Sequence, residues 1–141
     1  MNLKDFNYKT FIPVRFGDLN AFGVVNNDVF LTYFEIAHSG YWKHITRWQS
    51  KSKGIIIGKA ELNYLKPVTF NDELYAYVRT SRVGNCSFEV EYILTIKKNA
   101  DEEICTTGKT TCIFYDFEKG KPAHLPELQR NKMIAFEALA V

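Results

Sequence analysis

Four polar side chains near the start of a long apolar segment could act on a carbonyl group. Asp18 and Asn20 lie in a short polar loop, and Glu35 and His38 lie three residues apart further along the chain. A carboxylate or an imidazole can take a proton from water, and an amide can hold a water molecule or a carbonyl oxygen. Each residue also has an ordinary structural role, because Asp and Asn are common turn and cap residues and a Glu–His pair can be a satisfied polar pair. The residue types alone leave both interpretations open.

The segment after the loop predicts a long, largely buried helix from Asn27 to Arg47, which contains no proline. Asn26, Asn27 and Asp28 offer the side-chain acceptors that a helix start needs. The first turn of a helix leaves backbone N–H groups unpaired, and the helix dipole adds partial positive charge there. A carbonyl oxygen that becomes an oxyanion is a natural occupant, so the N–H near Asn27 is a candidate oxyanion donor.

The helical wheel predicts two adjacent stripes on this helix. One stripe is apolar and contains Phe30, Phe34, Ala37, Tyr41 and Ile45, and the other contains Asn27, Leu31, Glu35, His38 and Trp42. We expect Glu35 and His38 to be close enough to meet, at the edge of the buried face. There they could form a polar pair or touch a substrate.

The remaining chain predicts one domain, residues 1–141, of class α+β, with about five strands and a short C-terminal helix. Period-two alternation predicts a first strand over Phe6–Phe16, in which Pro13 indicates an edge or an irregularity. The other predicted elements are a polar link over Trp48–Lys53, strands over Gly54–Tyr64, Glu73–Val83, Cys86–Lys98 and Glu103–Tyr115, and a helix over Glu127–Leu139. A single sheet layer exposes one side, so we expect a dimer or a higher oligomer.

Composition excludes several classes of function. The formal charge is +2 over 141 residues, and no basic stripe of the kind that nucleic-acid binding needs is visible. No apolar run reaches the length of a membrane span, and three scattered histidines give no zinc signature. Three cysteines without a CxxC pair, and no leader segment in the sequence, lead us to expect reduced thiols and a cytoplasmic protein with no metal.

Several segments together resemble the hotdog-fold thioesterases, and most closely the 4-hydroxybenzoyl-CoA thioesterase and acyl-CoA thioester hydrolase families. The matching segments are Arg15–Asn27, Phe30, Tyr33–Glu35, Ala37, Tyr64–Val68, Asn71–Leu74, Val83–Gly84, Ser87–Phe88 and Leu125–Pro126. The resemblance implies an antiparallel five-stranded sheet wrapped around the long central helix. It also implies a dimer whose sheets join edge to edge, with active sites at the subunit interface.

The resemblance further implies where a thioester would lie. Its carbonyl would rest on the backbone N–H near Asn27, and the thiol would be coenzyme A. The chain departs from the family at the turn that binds the nucleotide phosphates in some members, where Arg82 is the only nearby cation, so the thiol could instead belong to an acyl carrier protein. No separate cofactor is implied, since coenzyme A is part of the substrate. The implied substrate-binding residues, some of them from a partner chain, are Phe22, Gly23, Val25, Phe30, Phe34, Ile55, Ile57 and, for the nucleotide phosphates, Arg82.

The chain departs from the family pattern at Asn20, where many members carry the catalytic aspartate. An amide can neither accept a proton at neutral pH nor form an acyl anhydride. Asn20 could position water while Glu35, His38 or Asp18 acts as base; enediyne-pathway hotdog thioesterases carry a similar Asn that works with an Arg near the position of His38. Alternatively, oxyanion stabilisation acts alone, or the protein binds thioesters without cleaving them. A dehydratase of the same fold is a weaker third class, and the acyl chain, the carrier and dimer versus tetramer stay open.

Overall fold

The computed structural model describes residues 2–48 and 50–140. Within them the chain forms a sheet, one long helix and one short helix, in the predicted order. The elements are β1 (Tyr8–Ile12), α1 (Val29–Thr46), β2 (Lys53–Tyr64), β3 (Glu73–Val83), β4 (Ser87–Lys98), β5 (Asp101–Asp116), β6 (Lys121–Pro122) and α2 (Glu127–Glu137). The class α+β is therefore confirmed, and most predicted boundaries lie within two residues of the observed ones.

The sheet is antiparallel, with strand order β1-β3-β4-β5-β2. Its two edges are β1 and β2. The prediction missed β6, which pairs with the end of β5 because the chain reverses through Gly120 at a φ of 66°. Irregularities in register at Ile57/Lys59, Thr80/Arg82 and Leu94/Thr95 bend the long strands, as β-bulges do. The bent sheet wraps α1.

Both ends of β1 and the start of α1 differ from the prediction. β1 ends at Ile12 because Pro13 has no N–H to donate to a neighbouring strand. The chain then makes a 3-10 turn over Phe16–Asp18, so Phe16 does not continue the buried face and is 79% exposed. α1 begins at Val29 rather than Asn27, and its N-cap residue, Asp28, makes no side-chain capping hydrogen bond.

Helix and sheet approach each other closely at Gly108 of β5. A Cβ atom there would overlap the ring of Phe34 and would lie 2.7 Å from the backbone oxygen of Glu61. The missing side chain lets the Phe34 ring lie flat on Tyr92, with centroids 4.3 Å apart and an interplanar angle of 4°. Both rings are fully buried. This contact fixes the depth at which α1 sits in the sheet.

The outer side of the sheet is covered in part by the chain itself. Phe6 packs against Tyr77 and Ile93. Beside this cluster Arg79 pairs with Glu91 at 2.6 Å and Lys9 pairs with Glu102 at 3.1 Å. The sequence-based argument for an oligomer assumed an open sheet face, whereas the more exposed strand is the edge strand β2. In the described part of the chain, none of the helices has the length and apolar character needed to span a membrane.

Candidate active site

The loop before α1 is held by the side chain of Asn20. Its Oδ1 accepts hydrogen bonds from the backbone N–H groups of Phe22 (2.9 Å) and Val24 (3.3 Å). The turn closes through Gly23, whose φ of 80° favours glycine. Because both neighbours of Oδ1 are donors, the network fixes the amide orientation. The Nδ2 group has no acceptor among the described residues and is free to donate.

Asp18 is almost completely buried, and donors surround its carboxylate. Oδ2 accepts from the backbone N–H of Arg15 (3.0 Å) and from the hydroxyl of Tyr33 (2.7 Å), and Oδ1 accepts from Nη2 of Arg15 (2.8 Å). Burial alone would raise the pKa of Asp18, but the hydrogen bonds from Arg15 and Tyr33 outweigh it and hold this pKa below its usual value. Asp18 is thus an ionised anchor that ties the loop to α1.

The N-terminal end of α1 faces outward. The N–H groups of Val29 and Phe30 donate to the carbonyl oxygens of Asn26 (3.1 Å) and Asn27 (3.4 Å). Within residues 2–48 and 50–140, nothing accepts from the N–H groups of Asn27 and Asp28, and both residues are exposed. The Tyr64 hydroxyl donates to the Asn27 carbonyl at 3.1 Å and links this end of α1 to the end of β2. The helix end can therefore receive an anionic oxygen.

Exposed apolar side chains surround this helix end. Phe22 is 90% exposed, and Phe16 packs edge-on against Phe70 with centroids 6.0 Å apart. An isolated bridge between Val24 and Thr69 brings the segment containing Phe70 beside the loop. The exposed apolar residues of this region, which we call the aromatic rim, are Phe16, Phe22, Tyr64, Leu65 and Phe70. Such a patch is typical of a surface that is covered by another molecule.

A cleft of about 700 Å³ lies further along the same side of α1, between the helix and the start of β2. Of the predicted site residues it is lined by Glu35, His38, Ile55 and Ile57. Its other lining residues are Leu31, Ser39, Trp42, Lys43, Trp48, Ser50, Lys53, Gly54, Ile56, Tyr92 and Cys112. The second predicted stripe of α1 therefore forms one wall of a cavity.

Glu35 and His38 differ sharply in environment. Glu35 is exposed at the cleft rim, whereas His38 is 7% exposed and packs against Phe88, with ring centroids 5.7 Å apart. Burial lowers the pKa of His38 to about 4, so its imidazole is neutral at pH 7. No hydrogen bond joins the two side chains, and His38 Nε2 is buried without any partner in the described part of the chain. The two residues share the cleft but do not form the expected pair.

The helix end and the cleft are separate in one chain. Nine residues from Val29 to His38 correspond to roughly 14 Å along the helix axis. One thioester carbonyl therefore cannot contact both the Asn27 N–H and His38 of the same subunit. Glu35 is about 9 Å from Val29 along the axis by the same geometry. The predicted catalytic residues fall into two groups: Asp18, Asn20 and Asn27 at the helix end, and Glu35 and His38 in the cleft.

The other predicted substrate-binding residues lie elsewhere. Val25, Phe30 and Phe34 are buried in the core, where the protein itself covers their surface. Arg82 is exposed at the end of β3, beside a second pocket of about 380 Å³ that also contains Arg130. In the part of the chain that the structure describes, no group of three or more His, Cys, Asp or Glu side chains could hold a metal ion.

The sequence analysis missed two contributors to the site. Trp48 was placed in a polar link, but it packs against Phe114, with centroids 5.4 Å apart, and lines the cleft. A tryptophan in an otherwise polar segment is a signal of burial that could have been used. Tyr33 was treated only as part of a motif, although its hydroxyl donates a hydrogen bond to the Asp18 carboxylate. Local periodicity gives no sign of that contact.

Comparison with known proteins decides the family. A sequence model of the thioesterase-like superfamily matches residues 14–133, which include the loop, α1 and the whole cleft. The chain belongs to the thioesterase-like superfamily. Hotdog-fold thioesterases are also its structural neighbours, so the fold that the resemblance implied is confirmed.

Three relatives of this thioesterase-like chain illustrate the range of similarity. A thioesterase from Thermus thermophilus, crystallised with coenzyme A and zinc, is 29% identical with a TM-score of 0.81, over 98% of this chain and 99% of that chain. The PA5185 protein from Pseudomonas aeruginosa PAO1 is 21% identical with a TM-score of 0.85, over 94% and 93% of the chains, and shows the fold alone. The uncharacterized protein YsmA of Bacillus subtilis strain 168 is 27% identical over 130 residues, 92% of this chain and 86% of that protein.

Proposed function

We propose that this chain hydrolyses an acyl thioester of coenzyme A or of an acyl carrier protein, giving a free acid and a thiol. The observation that carries the proposal is the pair of backbone N–H groups at Asn27 and Asp28, which are unpaired within residues 2–48 and 50–140 and lie beside the aromatic rim. These amides would hold the thioester carbonyl and stabilise the oxyanion. Removing one oxyanion donor typically costs about 3–4 kcal/mol of transition-state stabilisation.

Asn20 supports this chemistry as a donor. With Oδ1 held by two backbone N–H groups, the Nδ2 hydrogens are the part of the amide that can reach a ligand. They would orient the attacking water or the carbonyl oxygen. Asp18 would keep the loop in place and would not react, because its oxygens already accept hydrogen bonds from Arg15 and Tyr33.

We assign the base to Glu35 rather than to His38. Attacking water has open access to the Glu35 carboxylate, which is exposed at the cleft rim, whereas the His38 imidazole is 7% exposed and packs against Phe88. Glu35 would accept a proton from water as the water oxygen bonds to the carbonyl carbon. The C–S bond would then break, and the departing sulfur would take up that proton.

Edge pairing of two subunits would bring the two groups together. β2 is an edge strand of twelve residues, and edge strands are prone to pair with another chain. Two-fold symmetry makes such a pair antiparallel, so the Tyr64 end of one β2 would lie beside the Lys53 end of the other. Tyr64 contacts Asn27, and Lys53 borders the cleft. The helix end of one subunit would then face the cleft and Glu35 of its partner.

A panel of acyl-CoA and acyl-carrier-protein substrates with a free-thiol readout tests the proposal. Glu35→Gln should lower kcat by about 100-fold or more, which is the usual contribution of general base catalysis. Glu127→Gln is the matched control, because Glu127 is exposed in the first turn of α2 and lies neither on the edge strand β2 nor in the cleft lining. Loss of activity in both variants, or in neither, would contradict the role of Glu35.

One observation favours a second candidate, a protein that binds acyl thioesters without cleaving them. The loop position of the usual acid is an amide, and its oxygen is fully used in holding the loop. For this candidate, no member of the panel turns over, while acyl-CoA still raises the melting temperature. If Asn20→Ala turns over thioesters as fast as the wild type, the protein is an enzyme but Asn20 has no part in its mechanism.

A further inference from the structure

Among the described residues, one fully buried polar atom in the cleft lining has no hydrogen-bond partner, namely Nε2 of His38. His38 is 7% exposed, and its Nε2 makes no hydrogen bond to the described residues. A buried polar atom without a partner destabilises the fold, so such groups are rare and call for an explanation. Another polar group of the cleft lining, the Tyr92 hydroxyl, is already paired with Thr110 at 3.0 Å. An occupant of the cleft that brings an oxygen would satisfy His38.

The lining of the cleft changes character with depth. The exposed lining residues are mostly polar, namely Glu35, Ser39, Lys43, Ser50 and Lys53. The buried lining residues are His38, Trp42, Tyr92 and Cys112, and Trp42 stacks on Phe88 with an interplanar angle of 3°. Flat and largely apolar walls, with the Nε2 atom of His38 left unpaired among the described residues, suit an organic group better than an ion or a chain of waters.

We propose that the cleft is the acyl pocket of the thioesterase and that His38 selects acyl groups carrying a neutral oxygen, a hydroxyl or a carbonyl, over plain hydrocarbon acyl groups. The inference rests on the proposed function and names its substrate class.

A neutral imidazole has one N–H donor and one acceptor nitrogen, so a hydroxyl can satisfy either and a carbonyl can accept from the donor. His38 is neutral because burial lowers its pKa to about 4. An anionic group at the same depth would lose its hydration without meeting a cation, because the two lysines that line the cleft, Lys43 and Lys53, are exposed. The pocket therefore favours uncharged oxygen.

The test uses matched pairs of CoA thioesters that differ by one oxygen, for example decanoyl-CoA against a series of hydroxydecanoyl-CoA isomers. For the wild-type protein we expect kcat/KM for at least one hydroxylated member to exceed that of the plain member by about tenfold, the effect of one buried hydrogen bond. His38→Phe keeps the stack on Phe88 and removes both nitrogens. It should abolish the preference by lowering kcat/KM more for the oxygenated substrate than for the plain one, and His38→Gln should restore part of the preference.

A matched control is His44→Phe on the same helix. His44 is exposed, contacts Tyr8 and Phe136, and does not line the cleft, so the preference should be unchanged. If His38→Phe fails to fold, the wild-type protein still provides a test through calorimetric binding of non-hydrolysable thioether analogues of the same pairs. Binding of the oxygenated analogue should also shift the ¹⁵N resonances of His38.

Three results would overturn the inference. These are no preference for any oxygenated member, a preference that survives His38→Phe, and tighter binding of the plain analogues. Each of them leaves the proposed hydrolysis intact as long as thioesters turn over. Absence of turnover would instead refute the proposed function, and the thioether pairs would still decide whether His38 recognises oxygen.

Discussion

Replacing Asp18 by Asn separates a structural from a catalytic role for this carboxylate. The side chain is 1% exposed, and it accepts hydrogen bonds from the backbone N–H of Arg15, from the Arg15 guanidinium and from the Tyr33 hydroxyl. An Asn can keep one oxygen toward Tyr33 and the Arg15 N–H. Its NH₂ group then faces the guanidinium, which is another donor. We expect the exposed guanidinium to turn toward water and the buried NH₂ group to be left without an acceptor.

The magnitude follows from the buried partners. Hydrogen bonds to a charged acceptor are stronger than neutral ones by about 1 kcal/mol each, and two such bonds weaken in Asp18→Asn. A buried and unsatisfied NH₂ group adds about 1–3 kcal/mol. The total loss in the free energy of unfolding is therefore about 3–5 kcal/mol. For a chain of this length that corresponds to a fall in Tm of roughly 10–20 °C.

Thermal and urea unfolding of both proteins between pH 3 and pH 7 would measure this loss. Because hydrogen bonding lowers the folded-state pKa of Asp18, the carboxylate stabilises the fold above the unfolded-state pKa of about 4, and this contribution is lost as the pH falls through the lower, folded-state value. The difference between wild type and Asp18→Asn should thus be constant near neutrality and shrink below about pH 4.

The control is Asp5→Asn, since Asp5 is 55% exposed and lies 3.9 Å from Arg79. We expect that variant to keep wild-type stability. The reasoning is refuted if Asp18→Asn unfolds like the wild type at pH 7, or if its deficit persists unchanged in acid. A variant with wild-type stability that no longer hydrolyses thioesters would instead make Asp18 a reacting group.

Three further predictions follow from single positions. Asn20→Asp should preserve the loop, because a carboxylate accepts the same two N–H groups. It should raise kcat by about tenfold in steady-state thiol release, since a base beside the helix end is worth about 100-fold or more and the lost Nδ2 donor about tenfold. An unchanged kcat would mean that this position does not face the carbonyl. Gly108→Ala should destabilise the fold by about 1–3 kcal/mol in urea titration, because its Cβ would overlap Phe34, and Gly17→Ala, which meets nothing within 4 Å, is the control. Because Phe22 is 90% exposed, Phe22→Ser should leave monomer stability unchanged but weaken self-association in sedimentation measurements. Equal association would mean that Phe22 lies outside the subunit interface.

The order and type of the main elements could be predicted from the sequence. Phe30, Phe34, Ala37 and Tyr41 recur at helical spacing, and all four are buried in α1. The strand predicted over Glu73–Val83 agrees with β3 at both ends. Such elements can be predicted because the period of a helix or a strand is a local property of the backbone. Burial of one side of the element then places apolar residues at that period in the sequence.

The sequence predicted where the candidate residues lie in the fold but not which side chains and backbone groups they contact. Asn20 and Asp18 were placed correctly in the loop, but the sequence could not reveal that Asn20 Oδ1 faces the loop backbone or that Tyr33 and Arg15 surround Asp18. Glu35 and His38 were expected to meet because they are three residues apart. They do not meet, because Glu35 is exposed to water and His38 packs against Phe88.

The sequence by itself determined the helix, the strands, the loop chemistry and, through its motif, the family. Only the tertiary structure decided that the helix end and the cleft are separate, that Trp48 lines the cleft, and that Nε2 of His38 lacks a partner among the described residues. The physical reason is that these features depend on residues far apart in the chain. The register of β2 on β5 and the close approach at Gly108 set which side chains meet, and no local period encodes either of them.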